Sequence, residues 1–153
     1  MLRLIPIGLF GLCLISLNSF ANNSQSSWDF DRDGNADALT DGLLMLRYTF
    51  GLRGETLVNG AVSLDSTMTA SQIESEIATA SSITDIDSDG QTDALTDGLL
   101  LLRYLFGLTD EALTSGATAT SASRTSSTEI SQYLADLMPN TEAADNDSEI
   151  DSN

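Results

Sequence analysis

Apolar positions along this chain gather into a few short stretches, and two of those stretches are nearly the same text. Ala38-Leu-Thr-Asp-Gly-Leu-Leu-Met-Leu-Arg-Tyr-Thr-Phe-Gly-Leu52 recurs as Ala94-Leu-Thr-Asp-Gly-Leu-Leu-Leu-Leu-Arg-Tyr-Leu-Phe-Gly-Leu108. In the first copy Leu43, Leu46 and Phe50 stand at i, i+3 and i+7, with Leu44 and Tyr48 beside them. This spacing predicts a helix that is buried over most of its surface. It should begin near Asp41, and its copy near Asp97. Thr40 and Thr96 stand as N-caps, the aspartates suit a first turn, and Gly51 and Gly107 stand where glycine ends a helix. Short turns, Glu55–Gly60 and Glu111–Gly116, come next.

A second helix signal follows each turn. Thr69-Ala-Ser-Gln72 and Ser126-Ser-Thr-Glu129 both read as capping boxes, in which the first side chain and the fourth satisfy each other's backbone donors. Ile130, Tyr133, Leu134, Leu137 and Met138 make one apolar face of the later helix, and Pro139 is expected to stop it. Ile73 and Ile77 give the earlier helix a weaker version of the same face. Strand-like alternation is missing throughout, so the expected fold is all-α.

The polar text before each first helix is also repeated. Asp29-Phe-Asp-Arg-Asp-Gly-Asn-Ala-Asp37 matches Asp85-Ile-Asp-Ser-Asp-Gly-Gln-Thr-Asp93, each residue 56 positions from its counterpart. The capping boxes are 57 apart (69 to 126), so one residue has been added between the two features. A long internal repeat fixes architecture before any other signal. The expected organisation is a signal peptide over 1–21, a linker over 22–28, repeats over 29–84 and 85–139, and a disordered acidic tail over 140–153, where apolar residues nearly vanish. Trp28, directly before the first loop, is expected to pack against the helix that follows. The alternative, a Trp that stacks on sugar, finds no support in the second repeat, where Thr84 holds the same place.

Composition sharpens this picture. The 153 residues carry 23 acidic and 6 basic side chains, no His, and a formal charge of -17. Such a charge repels nucleic acid and anionic membrane surfaces. The only basic residues after the N-terminus are Arg32, Arg47, Arg53, Arg103 and Arg124. Arg47 and Arg103 lie inside the repeated helices, placed to pair with loop carboxylates or to cap backbone carbonyls. Arg3, the apolar run Leu4 to Leu17 and the small-x-small Ser19-Phe-Ala21 predict a cleaved secretory signal, and hence an extracellular or periplasmic protein with no membrane span in its mature chain. Cys13 lies inside the signal, so no disulfide is available to the mature chain.

Each loop places aspartates at positions 1, 3, 5 and 9 with glycine at 6. Alternate side chains at 1, 3 and 5 converge as such a loop winds, position 7 offers a backbone carbonyl, and position 9 adds a ligand directly or through water. The predicted ligands are Asp29, Asp31, Asp33, the Asn35 carbonyl and Asp37 in one set, and Asp85, Asp87, Asp89, the Gln91 carbonyl and Asp93 in the other. A set made only of oxygens suits Ca²⁺ over Mg²⁺, which dehydrates reluctantly. Zinc is disfavoured without His or mature Cys. Position 12 holds Thr40 or Thr96, and the acid comes one residue later, at Asp41 or Asp97. Either those aspartates close the two sites, or they cap the helices and water or a threonine oxygen closes them. Two Ca²⁺ sites are expected.

Asp-x-Asp-x-Asp-Gly-x-x-Asp followed by the Leu-Leu-x-Leu-Arg-Tyr helix resembles the dockerin calcium repeat, an EF-hand-like loop with only its exiting helix. The resemblance covers residues 29–138. It implies a two-repeat, calcium-dependent fold and, for a dockerin proper, docking onto a cohesin-type protein in a polysaccharide-degrading or cell-surface assembly. The residues themselves point first to a secreted, calcium-stabilised structural or interaction module without catalysis of its own. A two-carboxylate glycoside hydrolase is the enzymatic alternative, but no nucleophile motif accompanies the acids and little chain remains to build a cleft.

Overall fold

The computed structural model describes residues 27–139; the expected signal peptide, nearly all of the linker and the acidic tail lie outside that range. The described residues are all-α, with no strand among them. Helix α1 (Leu43–Thr49) follows a wide π-turn over Ala38–Gly42, and α2 (Glu55–Val58) and α3 (Ala70–Thr79) complete the first half. The second half repeats this order: a π-turn over Ala94–Gly98, α4 (Leu99–Leu105), α5 (Asp110–Thr114) and α6 (Ser127–Ala135).

The helical backbone therefore starts earlier than the capping pattern predicts. Asp37 and Asp93 are the extended residues before the first turn, and Thr40 and Thr96 lie inside it. The cause is the next residue. Asp41 turns its carboxylate inward and accepts the Asp37 N–H at 2.9 Å. The turn widens with it, so that the Gly42 N–H reaches back five residues to the Asp37 carbonyl at 3.1 Å. Both later capping boxes form as expected, on Thr69 with Gln72 and on Ser126 with Glu129. Helix α6 ends at Ala135, ahead of Pro139, because the Leu137 and Met138 N–H groups tighten onto carbonyls three residues back.

Burial corrects the expected face of the repeated helix. Leu44 and Met45, and likewise Leu100 and Leu101, are fully buried, whereas Phe50 and Phe106 are 56% and 55% exposed. Phe50 follows the last helical residue, so it projects outward instead of extending the apolar face. The other flank meets the second copy. A Cβ at Gly42 would lie 3.0 Å from Leu102 Cδ1, and one at Gly98 would lie 3.0 Å from Leu46 Cδ1. Absence of a side chain at these two positions lets each helix entry rest directly on the helix of the other half.

The expected short turns are the helices α2 and α5, and they are held by the repeated arginines. Arg47 Nη1 donates to the Leu57 and Asn59 carbonyls at 2.8 and 2.9 Å, and Arg103 Nη1 to those of Leu113 and Ser115 at 3.0 and 2.9 Å. Capping of carbonyls is thus the role they take. Trp28 shares a core with Leu44 and Met45 of α1 and also packs on α6. Its indole N–H donates to the Leu134 carbonyl at 2.9 Å, and its ring meets Tyr133 edge-on. One apolar cluster contains residues of both halves.

Candidate metal centre

Each acidic loop is wound around its own carboxylates by backbone donors. In the first, Asp29 accepts the Asp33 and Gly34 N–H groups at 3.2 and 3.0 Å, and Asp33 accepts that of Asn35 at 2.8 Å. In the second, Asp85 accepts those of Asp89 and Gly90 at 3.1 and 3.0 Å, and Asp89 accepts that of Gln91 at 2.9 Å. Gly34 and Gly90 have φ of 98° and 92°, a left-handed conformation that explains glycine at position 6.

The shifted acid ties each loop shut. Asp41 Oδ1 accepts the Phe30 and Asp31 N–H groups at 2.6 and 3.3 Å, while its Oδ2 takes the Asp37 N–H and the Thr40 hydroxyl. Asp97 repeats this with Ile86, Asp87, Asp93 and Thr96. The threonine hydroxyls are therefore spent on the neighbouring carboxylates. Asp41 and Asp97 are fully buried.

This winding brings Asp29, Asp31 and Asp41 together, and Asp85, Asp87 and Asp97. Within each triad one carboxylate oxygen per residue lies within 4.8 Å of the others. The other predicted acidic ligands do not join these triads, although the Asp33 and Asp37 charges are felt at Asp31. Asn35, Asp37, Gln91 and Asp93 are exposed, and Asp33 and Asp89 are partly so. Asp89 also takes the Ser121 hydroxyl on Oδ2 at 3.2 Å.

Sequence reading missed one contributor. The Ser63 N–H donates to Asp31 Oδ2 at 2.7 Å, and the Ala119 N–H to Asp87 Oδ2 at 2.6 Å. Each donor lies 32 residues beyond its aspartate, in the segment after the second short helix. The only trace in the sequence is register: these residues keep the 56-residue offset (63 to 119), and the added residue falls just after them.

Electrostatically the triads are costly. Burial pushes the Asp41 carboxyl up to about 6, against the lowering effect of the Asp37 and Phe30 N–H groups, and the Asp31 charge adds to the rise. Burial is also the main cause that raises Asp29, Asp31 and Asp97. Asp33 moves the other way, lowered first by the Ser63 hydroxyl. The nearby arginines are engaged elsewhere. Arg32 pairs with Glu76 at 2.7 Å, and Arg124 donates to the Ile86 carbonyl and lies over the Tyr133 ring.

One atom stands out in the second triad. Asp87 is fully buried, and its Oδ1 is the only buried side-chain oxygen or nitrogen among the described residues with no hydrogen-bond partner. Buried polar groups are otherwise almost always satisfied. Three close carboxylates, one with a free buried oxygen, form a donor set for a hard cation. Comparison with protein-family models, with curated proteins and with solved structures yields no match to this chain.

Proposed function

We propose that this protein is a secreted, non-catalytic module stabilised by two calcium ions, one in each acidic loop, and that it serves as a structural or interaction part of a larger assembly. The observation that carries this reading is Asp87 Oδ1, a buried carboxylate oxygen without a partner beside two further carboxylates. An uncompensated buried charge is strongly unfavourable, and a divalent cation would remove both the repulsion and the unmet acceptor. Asp29, Asp31 and Asp41 would hold one ion, and Asp85, Asp87 and Asp97 the other. The exposed loop acids and the Asn35 and Gln91 carbonyls would complete the shells directly or through water. Secretion fits this chemistry, since extracellular modules commonly bind calcium at 10⁻⁴–10⁻³ M. At about 100 times its dissociation constant, each ion adds about 2.7 kcal/mol of stability. The test is a calcium titration of the chain by calorimetry and far-UV circular dichroism against a chelator reference. Two equivalents and a higher unfolding temperature are expected; unchanged melting with calcium would sink the reading.

A second reading is that of a dockerin proper, docked on a cohesin-type protein. Its support is the pair of repeat-related apolar side chains left in solvent in each half, Leu39 and Leu95 at 66% and Phe50 and Phe106 at 56% and 55%. Calcium-dependent capture by a purified cohesin-type domain, lost in Leu39→Asp/Leu95→Asp, is the outcome it requires.

A further inference from the structure

The two halves differ most where one of them is sealed by Trp28. That indole is fully buried, with Ala36, Tyr133 and Met138 among the residues packed against the same core. At the corresponding places the other half has Thr84 for Trp28 and Thr92 for Ala36 (offset 56), and Glu76 for Tyr133 and Ser81 for Met138 (offset 57). Trp28, Tyr133 and Met138 thus face smaller or charged counterparts, while Ala36 faces a hydroxyl-bearing one. The result is a cavity of about 280 Å³ whose lining includes Tyr48, Arg53, Ile77, Ser81, Thr84 and Thr92.

We propose that this cavity binds one small aromatic heterocycle with a ring N–H, of the indole class, in the place that Trp28 fills in the other half. Size fits a single fused ring, since pockets for drug-sized ligands run from about 300 to 1,000 Å³. The polar handle has an internal precedent. Trp28 donates its ring N–H to the carbonyl of Leu134, and the counterpart of Leu134 is Ile77, which lines the cavity. The hydroxyls of Thr84 and Thr92, 3.0 Å apart, also line it, with Thr84 Oγ1 3.4 Å from the Ser81 carbonyl. Arg53 lies 3.7 Å over the Tyr48 ring, and a guanidinium plane is a stacking surface for a flat ring. Its counterpart is Thr109; in the sealed half the stacked guanidinium is instead that of Arg124, over Tyr133.

The test is an indole titration of the calcium-loaded full chain followed by residue-resolved NMR, with calcium equivalents counted on the same sample to report on the acidic loops separately. Saturable shifts confined to Tyr48, Arg53, Ile77, Ser81, Thr84 and Thr92 are expected, with a dissociation constant on the order of 1 mM or tighter. Two fillers block the cavity, Thr84→Trp and Ser81→Met, each copying the residue of the sealed half. Either filler, if folded by the same spectrum, should abolish the indole shifts while two calcium equivalents remain. Absent or non-saturating shifts in the parent, or shifts that persist in a folded filler, would overturn the proposal.

Discussion

Trp28 and Leu134 are joined across 106 residues by an indole N–H···O=C bond of 2.9 Å. This contact, with the Trp28 backbone N–H donating to the Leu137 carbonyl at 3.3 Å, ties the segment before the first loop to α6 and the turn after it. It closes the two halves on each other.

The bond and the ring can be weighed separately. Trp28→Phe removes the donor and should cost about 1–2 kcal/mol. Trp28→Ala also removes the buried ring and should cost about 3–5 kcal/mol. Urea unfolding followed by circular dichroism measures both. Equal costs would assign the stabilisation to the hydrogen bond alone.

Gly98→Ala opposes two effects of known size. Gly98 has helical backbone angles, so alanine gains up to about 1 kcal/mol of helix propensity. The new Cβ would lie 3.0 Å from Leu46 Cδ1, 3.1 Å from Thr49 Oγ1 and 3.3 Å from Leu46 Cα. Leu46 Cδ1 can rotate away, but its Cα cannot. Overpacking costs about 1–3 kcal/mol, so a net loss of about 1 kcal/mol is expected by thermal unfolding. A stabilised variant would refute the close approach of α1 and the second π-turn.

Asp97 and Asp93 have the same side chain in different places, and only Asp97 belongs to a triad. Asp97→Asn should lose one of two calcium equivalents and, without metal, destabilise the chain by about 2 kcal/mol, since an amide cannot accept with both atoms. Asp93→Asn should retain both equivalents, with affinity weakened at most about tenfold. Calorimetric titration of the two variants decides; loss of an equivalent only in Asp93→Asn would reverse the assignment.

The metal-free protein should become more stable as pH falls from neutral. The Asp41 carboxyl is raised from 3.8 to about 6 in the folded chain, so between these values the folded state holds a proton that the unfolded state lacks. Its stabilising contribution is fully present below about 3.8 and is lost as pH rises through about 6. The difference amounts to about 3 kcal/mol. Asp29, Asp31 and Asp97 shift in the same direction, and partly exposed Asp33 shifts in the opposite one. Melting in chelator at pH 4.5 and 7.5 checks this. A higher midpoint at pH 7.5 would contradict the buried triads.

Much of the candidate site is local in sequence and was therefore legible. Asp29, Asp31 and Asp41 lie within 13 residues, and the glycine at position 6 and the repeat mark them as a unit. The clamps on Asp31 and Asp87 were not legible, because a backbone N–H carries no signature of residue type. Any residue but proline at 63 or 119 can supply one. Thr40 was misplaced for a related reason: propensity favours it as a cap, but the inward Asp41 carboxylate sets where the turn begins.

The sequence by itself determined the helical class, the 56-residue repeat, both capping boxes and the aspartates that gather in each loop. These follow from periodicity and from interactions between near neighbours. Tertiary structure alone decided that Phe50 and Phe106 face solvent, that Gly42 and Gly98 pass against the opposite helix, and that Trp28 seals one half while Thr84 leaves the other open. Those outcomes depend on which surfaces meet across 50 or more residues, and packing between halves is not encoded in the spacing within either one.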